Sequence, residues 1–473
     1  MNRNPSHPWF RDKTYTHFDT PLGVKKAEQY AAYFQKKPTH DFYPFITYDL
    51  VMRKVIRVPK SERKKAKHSL RFKPKNRPLA YAAHRDRIIF SYYSHMLGIS
   101  YENYLNNCDF SDSITAFRKL GKNNIHFSKA VFEEVKLHND CFVLAMDVKS
   151  FFNNLDHKII KSKWKEVLGL DDLPDDHYQV FKAITKFSVV EKKLVYKTLG
   201  ISMHNTPEDL YKLCDNKVFR TKIRPLINID GDARKRTKGI PQGSPISALL
   251  SNIYMLDFDS RAYKLAQTLN GKYYRYCDDI LFILPNITAD EAKSYEETIE
   301  EYIADIKLEL NPDKTEVFHF NGGSIVNQNK PLQYLGFIFD GRDILLRSSG
   351  IQNCHIKIRK SVKLAYKTRK KRVKLGLVHK NLYKKKLYNQ YSYNGNRNYI
   401  SYALRSAETM ESTKIKKQIK PIWAFLNNEI KTKDEVNNMV FHKASYSIHL
   451  VYMKPIHPMQ CRYFRLCQSR NPY

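Results

Sequence analysis

Runs of apolar residues and longer apolar–polar repeats divide the chain into predicted strands and helices. Residues 141–146 (CFVLAM) form an apolar run that ends at Asp147, which is the pattern of a buried strand. Residues 273–284 (YYRYCDDILFIL) place two adjacent acids between apolar runs, as in a β-hairpin. Residues 248–258 (ALLSNIYMLDF) have the spacing of an apolar helix, and residues 158–238 read largely as helices. The pattern therefore predicts a chain that mixes helices with strands.

Two segments interrupt this pattern with a high density of basic residues. Residues 53–77 hold twelve Lys or Arg and one acid, and residues 344–407 hold seventeen Lys or Arg and no acid. Apolar residues recur every three or four positions in much of the second segment, so it predicts a basic amphipathic helix. Lysine and arginine neutralise phosphates, so we expect this helix to contact a nucleic-acid backbone. The residues expected to do so are Lys357, Arg359, Lys363, Lys367, Arg369, Lys370 and Arg372.

The overall charge agrees with a polyanionic partner. The 473 residues include 82 Lys or Arg and 47 Asp or Glu, which gives a formal net charge of +35. A surface of that charge repels itself unless a polyanion neutralises it, and ribosomes, anionic membranes and nucleic-acid substrates all satisfy this requirement. Charge alone does not choose among them. The hydrophobic content of 42% excludes a disordered chain.

Cysteine usage and the length of the apolar runs predict the compartment. The seven cysteines are scattered and never spaced as CxxC, which argues against a zinc ribbon or a disulfide framework and favours a reducing cytosol. The N-terminus lacks the apolar segment of a signal peptide, and no stretch approaches the length of a membrane span. We therefore expect a cytoplasmic protein with no membrane partner.

Three carboxylates lie at the ends of predicted strands. Asp147 ends its strand, and Asp278 and Asp279 stand together in the predicted hairpin. Adjacent acids among apolar residues are unfavourable unless a cation sits near them. Strand alternation sends Asp278 and Asp279 to opposite faces unless they occupy the turn. Together with Asp147 they would bind a pair of divalent ions, and their hard oxygens suit Mg²⁺. An ordinary hairpin turn is the alternative interpretation.

A loop rich in glycine and proline precedes the apolar helix. In residues 239–247 (GIPQGSPIS), Gly243 permits close approach of a substrate, and Gln242 offers hydrogen-bond donors and an acceptor. The order DVKSFF, GIPQGSPIS and YCDD resembles that of reverse transcriptases, specifically their bacterial and group II intron-like branch. RFKPKNRPLAYAAHRDR resembles a fingers segment of this family, LELNPDKTEVFHF its lysine motif and LQYLGFIF its primer-grip hairpin. The resemblance extends over about residues 50–340.

The resemblance implies an α+β fold with the form of a right hand. The palm would be an antiparallel sheet, the fingers helical and the thumb a basic helical segment. The implied organisation is an N-terminal extension (1–49), fingers and palm (50–343), a basic helical thumb (344–407) and a C-terminal extension (408–473).

The resemblance also implies roles for individual residues. Asp147, Asp278 and Asp279 would bind Mg²⁺, with Mn²⁺ as a substitute, and Lys314 would protonate the departing pyrophosphate. Phe152 matches the sugar gate, whose ring would clash with a 2′-hydroxyl and so select deoxynucleotides (dNTPs). The residues that match nucleotide-binding positions are Phe152, Gln242, Gly243, Arg77 and Arg85.

The activity that the resemblance implies is RNA-directed DNA synthesis. The protein would be a reverse transcriptase, a nucleotidyltransferase that makes cDNA from an RNA template by two-metal nucleotidyl transfer. Elimination among compact members favours a freestanding enzyme of bacterial antiviral (antiphage) defence that copies a structured non-coding RNA. The alternatives are a retron or group II intron-type enzyme, an RNA-dependent RNA polymerase, and an RNA-binding or splicing-assistance module with dispensable polymerase activity. The template, the priming mode and the oligomeric state stay open.

Overall fold

The computed structural model describes residues 7–57, 70–204, 207, 210–228, 231–377 and 382–451. The chain forms two compact units. Unit 1 comprises Met1–Asn123 and Ala130–Lys330, and unit 2 comprises Asn124–Lys129 and Pro331–Tyr473. The domain boundaries expected after residues 49, 343 and 407 stay predictions.

Unit 1 contains both helices and strands, as the apolar pattern predicts. Its helices are α1 (Val24–Lys36), α2 (His84–Leu105), α4 (Phe151–Asn154), α5 (His157–Leu168), α6 (Asp175–Thr185), α7 (Lys192–Thr198), α8 (Asn216–Val218), α9 (Ser247–Tyr254), α10 (Leu256–Gln267) and α11 (Ala289–Asp305), and helix α3 (Asn124–Leu137) begins in the short segment of unit 2. Its strands are β1 (Phe45–Arg57), β2 (Leu70–Tyr81), β3 (Asp140–Asp147), β4 (Val189–Glu191), β5 (Lys272–Tyr276), β6 (Asp279–Pro285), β7 (Glu316–Asn321) and β8 (Ser324–Ile325).

A five-stranded antiparallel sheet with the order β5-β6-β3-β7-β8 forms the core of unit 1. Strand β3 lies in the middle, and its residues from Cys141 to Leu144 are buried in succession. Successive side chains of a strand point to opposite faces, so both faces of β3 are covered. Helices α10 and α11 pack against the sheet. The predicted antiparallel palm sheet and the α+β class are confirmed.

A long β-hairpin forms a second sheet of unit 1, in the region where the prediction was of helical fingers. Strands β1 and β2 pair antiparallel from Ile46 with Tyr81 to Arg57 with Leu70, and β4 joins β1 in parallel. The predicted basic segment 53–77 runs through this hairpin, and its residues 58–69 lie outside the described residues. The region therefore contains a strand pair in addition to helices such as α2.

Helix α2 begins next to the hairpin and is capped by a residue far away in sequence. Its N-cap position, Ala83, has no side chain that accepts a hydrogen bond. Asp19 supplies the acceptor instead: its carboxylate accepts from the backbone N–H of His84 at 2.8 Å and of Arg85 at 2.9 Å. An acid at this end also interacts favourably with the helix dipole. The contact fixes the chain between β2 and the first turn of α2.

Unit 2 combines a small antiparallel sheet with helices. Its strands are β9 (Leu332–Tyr334), β10 (Phe337–Phe339) and β11 (Ile344–Leu346), and its helices are α12 (Ser348–Lys374), α13 (Lys385–Tyr391), α14 (Tyr399–Thr409) and α15 (Thr413–Val451). Strands β9 and β10 form the hairpin that the LQYLGFIF motif implies, with Leu335 and Gly336 in its turn. Both turn residues have positive φ, which matches the twist of the flanking strands.

Helix α12 is the predicted basic amphipathic helix. One stripe of the helix is buried, at Cys354, Ile358, Val362 and Tyr366, and this four-residue spacing follows a single helix face. The hydroxyl of Tyr366 donates to the backbone carbonyl of Ile430 on α15 at 3.1 Å. In the part of the chain that the structure describes, no helix is both long and apolar enough to cross a bilayer.

Candidate active site

The three predicted catalytic carboxylates come from two neighbouring strands and the turn beside them. Asp147 is the last residue of β3 and is paired with Asp279, the first residue of β6. Asp278 lies in the two-residue turn between Tyr276 and Asp279, which are themselves paired. The backbone N–H of Val148 donates to the carbonyl of Asp278 at 3.1 Å, so the turn is bound to the end of β3. The two adjacent acids therefore divide between the turn and the strand.

The turn is tight because Cys277 adopts a left-handed conformation, with φ of 64°. This region is uncommon for residues other than glycine, and such residues persist where the surroundings hold them. Cys277 is buried, and burial raises the pKa of its thiol, with the charge of Asp278 adding to the effect. The thiol is therefore protonated at neutral pH.

Lys314 lies against Asp147, and its role in protonating pyrophosphate stays a prediction. It ends the 3₁₀ turn Pro312–Lys314, and the residue before that turn, Asn311, donates its backbone N–H to the carbonyl of Asp147 at 2.8 Å. The Lys314 ammonium is in direct contact with Oδ2 of Asp147. The lysine side chain is 44% exposed and the aspartate side chain 14% exposed, so the ammonium can also reach a ligand from the solvent side.

The carboxylates suit a divalent cation by their chemistry. Asp147, Asp278 and Asp279 offer hard oxygens, which Mg²⁺ and Mn²⁺ prefer. Across the described ranges, no three His, Cys, Asp or Glu side chains are gathered closely enough to hold a metal ion. The cation next to Asp147 is the ammonium of Lys314. A metal ion bound through Oδ2 of Asp147 would therefore compete with this ammonium.

The loop 239–247 is held by strand β2 at the two predicted nucleotide-binding residues. The backbone N–H of Ala80 donates to the carbonyl of Gln242 at 2.9 Å. Gly243 has φ of 122°, and a Cβ atom at this residue would lie 2.5 Å from the carbonyl oxygen of Ala80. Only glycine fits such an approach without displacing backbone. Gly243 is therefore required for the contact between the loop and β2.

Phe152 lies beside the same loop. Its backbone carbonyl accepts from the N–H of Ile240 at 2.9 Å. Its ring is half-buried and meets the ring of Phe151 edge-on at 5.6 Å, whereas Phe151 itself belongs to the core. The half-buried ring next to the loop is in keeping with a sugar gate, and that role stays a prediction.

The structure places the remaining predicted residues in other surroundings. Arg77 is an exposed residue of β2, and Arg85 is an exposed residue of the first turn of α2 that lines a cavity with Tyr30 and His40. Their roles in nucleotide binding stay predictions. The predicted nucleic-acid contacts all lie on α12 of unit 2, where Arg369 is half-buried and the others, namely Lys357, Arg359, Lys363, Lys367, Lys370 and Arg372, are exposed. Arg359 also forms an ion pair with Glu429 at 2.9 Å.

A buried polar network beneath the turn was missed by the sequence-based prediction. Arg275 and Asp259 are both fully buried and form two hydrogen bonds of 2.6 Å, in a bidentate ion pair. Tyr273 also donates to Asp259 at 2.6 Å. The guanidinium donates further to Oδ1 of Asn252 at 3.0 Å and to the carbonyl of Cys277 at 3.2 Å. The network thus connects α9 and α10 to the turn that holds Asp278.

The sequence does contain a signal for this network. Tyr273 and Arg275 are two residues apart on β5 and therefore share one face, which the apolar neighbours predict to be buried. Asn252 and Asp259 are seven residues apart in a largely apolar segment, which is the spacing of residues on one helix face. A buried charge is favourable only when it is paired, so these polar residues at buried positions indicate partners for one another.

Comparison with known proteins shows which family the chain resembles in sequence. A family model described as reverse transcriptase (RNA-dependent DNA polymerase) matches residues 63–339. Among curated proteins, protein YkfC of Escherichia coli (strain K12) is 31% identical over 20% of this chain and 32% of its own length. The telomerase reverse transcriptase of Rattus norvegicus is 26% identical over 34% of this chain and 14% of its own length. The chain thus matches a third or less of the length of these relatives.

Solved structures of telomerases are also similar to this chain. Apo telomerase of Candida tropicalis truncated from its C-terminal domain has a TM-score of 0.40 and 12% identity, over 68% of this chain and 60% of that one. Telomerase of the same organism in complex with a fragment of telomeric RNA has a TM-score of 0.37 and 13% identity, over 87% of this chain and 57% of that one. Both scores are below 0.5, so the family assignment rests on the sequence match. Because that match covers residues 63–339, more than half of the chain, the protein belongs to the reverse transcriptase family.

Proposed function

We propose that the protein is an RNA-directed DNA polymerase that makes cDNA from an RNA template and dNTPs. The observation that carries this proposal is the arrangement of the acids: Asp147 and Asp279 are paired at the ends of neighbouring strands, and Asp278 lies in the turn between β5 and β6. Membership of the reverse transcriptase family supports the reaction class. The exposed bases of α12 support a nucleic-acid substrate, because they can neutralise backbone phosphates.

The side chains around the acids have complementary tasks in this reaction. Asp147, Asp278 and Asp279 would hold divalent ions, Mg²⁺ or Mn²⁺, which when bound stabilise charge on the attacking and leaving oxygens. Lys314 carries a proton at Nζ beside Asp147 and, being partly exposed, is able to deliver it to the departing pyrophosphate. Gln242 would contact the incoming nucleotide from the loop that Gly243 allows to lie close to β2.

The test of this proposal removes the two adjacent acids. In the Asp278→Ala plus Asp279→Ala variant, we expect the extension of a DNA primer on an RNA template with dNTPs and Mg²⁺ to fall at least about 10³-fold, since about 4 kcal/mol of transition-state stabilisation is lost. The control is Glu297→Ala plus Glu301→Ala, which removes two exposed acids of α11 and changes the net charge equally. Absence of extension by the wild-type protein, or equal extension by both variants, would contradict the proposal.

The ring of Phe152 is proposed to select dNTPs over ribonucleotides. In Phe152→Ala the clash with a 2′-hydroxyl is relieved, so we expect the ratio of ribonucleotide to dNTP incorporation to rise by about tenfold or more. Phe152→Tyr keeps the ring and is the control, which should retain the wild-type ratio. Primer extension with each nucleotide set measures the ratio. A wild-type enzyme that incorporates ribonucleotides equally well would instead favour an RNA polymerase.

We further propose that this is a freestanding bacterial enzyme of antiviral defence, acting in the cytoplasm on a structured non-coding RNA. The two basic segments support a large RNA partner, because they hold 12 and 17 Lys or Arg with a single acid between them, in a chain of net charge +35. Sequencing the RNA and DNA that co-purify from the host tests this, and one dominant RNA with matching cDNA is the expected result. Full phage resistance in the Asp278→Ala plus Asp279→Ala strain would favour an RNA-binding role with dispensable polymerase activity.

A further inference from the structure

Unit 1 contains a cavity of about 980 Å³ that none of the predicted catalytic acids lines. Its walls come from five parts of the sequence: Tyr30 in α1, residues 39–44, Arg85 in the first turn of α2, Lys186 with Ser188, and residues 216–228 with 232–234. The basic residues in these walls are Arg85, Lys186, Arg220, Arg224 and Arg234. The acids in the same walls are Asp41 and Asp232. The cavity therefore has an excess of positive charge.

The arginines of residues 216–234 are available to a ligand. Arg220 and Arg224 are exposed and form no ion pair with any residue in the described part of the chain. Arg234 is also exposed, and its Nε pairs with Asp232 at 3.2 Å. Arginine presents several donors in a planar fork that matches phosphate oxygens. Arginines without acidic partners thus favour an anion with phosphate groups.

The wall formed by residues 39–44 is held in place by a buried carboxylate. Asp86 is fully buried and accepts from the ring of His40 at 2.6 Å and from the backbone N–H of Tyr43 at 2.9 Å. The other ring nitrogen of His40 is hydrogen-bonded to the hydroxyl of Tyr30 at 2.7 Å. These bonds order residues 40–43 before any ligand binds. A preorganised wall reduces the entropy lost on binding.

Aromatic rings lie next to the charges. Tyr43 and Phe219 are half-buried in the cavity wall and meet edge-on at 5.2 Å. The guanidinium of Arg85 lies 5.8 Å from the centre of the Tyr30 ring. Nucleic-acid sites that bind single strands combine bases for the phosphates with aromatic rings on which nucleobases stack. The cavity has both kinds of group.

We propose that this cavity binds single-stranded RNA at a site separate from the carboxylates. Its volume is at the upper end of the range for small-molecule sites, about 300–1,000 Å³, and it is lined by four arginines from two separate parts of the sequence. A strand with successive phosphates satisfies both features better than one nucleotide. Arg220 and Arg224 contact phosphates, and Tyr43 or Phe219 contacts a base. RNA binding at this cavity is distinct from polymerase chemistry, since it needs none of the catalytic acids.

The test compares two pairs of substitutions that change the charge equally. Arg220→Gln plus Arg224→Gln removes two cavity arginines, and the control Lys217→Gln plus Lys222→Gln removes two exposed lysines of the same segment that do not line the cavity. Each full-length variant is titrated into a labelled single-stranded RNA of about 8 nucleotides. For the arginine variant we expect Kd to rise about tenfold. The slope of log Kd against the logarithm of the salt concentration should fall by about 1.4. The lysine variant should stay within about twofold of the wild type.

The same experiment separates the proposed site from the polymerase site and from a nucleotide pocket. All titrations are repeated in the Asp278→Ala plus Asp279→Ala background, where the effect of the arginines should be unchanged. Photo-crosslinking of RNA containing 4-thiouridine should label Tyr43 or Phe219. Equal effects of the two pairs, loss of the effect in the aspartate background, or full competition by a mononucleotide would overturn the proposal. Matching thermal unfolding midpoints show that the variants are folded.

Discussion

Replacing Arg275 with leucine is expected to destabilise the protein by about 3–5 kcal/mol and to abolish primer extension. The reason is that Asp259 would then be a fully buried carboxylate without its cation. The substitution also removes the guanidinium donors to Asn252 and to the carbonyl of Cys277, in the turn that carries Asp278. Stability and catalysis should therefore fall together.

The measurement is the free energy of unfolding in urea, with primer extension on the same samples. The matched control is Arg261→Leu, since Arg261 forms an exposed ion pair with Asp305 at 2.6 Å, and exposed pairs contribute at most about 1 kcal/mol. Replacing both Arg275 and Asp259 with leucine should be less damaging to stability than Arg275→Leu alone, because no unpaired charge is left. If Arg275→Leu and Arg261→Leu have the same effect, the network does not support the turn.

Alanine at position 243 is expected to lower primer extension about 10²-fold, because the loop that carries Gln242 must move away from β2. The added Cβ would lie 2.5 Å from the Ala80 carbonyl oxygen, which belongs to backbone and cannot rotate aside. The shift would break the hydrogen bond from the N–H of Ala80 to the carbonyl of Gln242. This displacement adds to the backbone strain of an alanine with positive φ, which costs about 1–3 kcal/mol.

Gly322→Ala separates these two causes. Gly322 also has positive φ, at 57°, but a Cβ atom there meets nothing within 4 Å. This control should therefore lose some stability and keep nearly full activity. The expected kinetic result for Gly243→Ala is a rise in KM for dNTPs together with a fall in kcat, measured at saturating primer–template. A Gly243→Ala enzyme as active as Gly322→Ala would show that the close approach is not needed.

The candidate site is largely predictable from the sequence because its acids stand at the ends of long apolar runs. The run before Asp147 and the run after Asp279 each specify a buried strand, and burial fixes their register. The turn position of Asp278 follows only from the actual pairing of Tyr276 with Asp279. The left-handed conformation of Cys277 has no signal in the sequence, since cysteine is not a residue that favours it.

Local sequence patterns do not predict the features that depend on contacts between distant segments. The hairpin of β1 and β2 is rich in basic residues, which hide the alternation by which strands are recognised. The cap of α2 comes from Asp19, 65 residues before the His84 N–H to which it is bonded. The proposed RNA cavity joins five separate parts of the sequence, and its basic residues read individually as solvent-exposed charges. Contacts of this kind are set by tertiary packing and not by local periodicity.

Helix α3 has a consequence for the order in which the protein is made. Its first six residues, Asn124–Lys129, belong to unit 2, and the side-chain amide of Asn124 donates to the hydroxyl of Tyr402, 278 residues further along the chain. At synthesis rates of 5–20 residues per second, Tyr402 leaves the ribosome about 15–55 s after Asn124. Lys330, the last residue of unit 1, is made before Tyr402, so unit 1 is complete by the end of this interval. The beginning of α3 therefore has to wait for partners that are not yet synthesised.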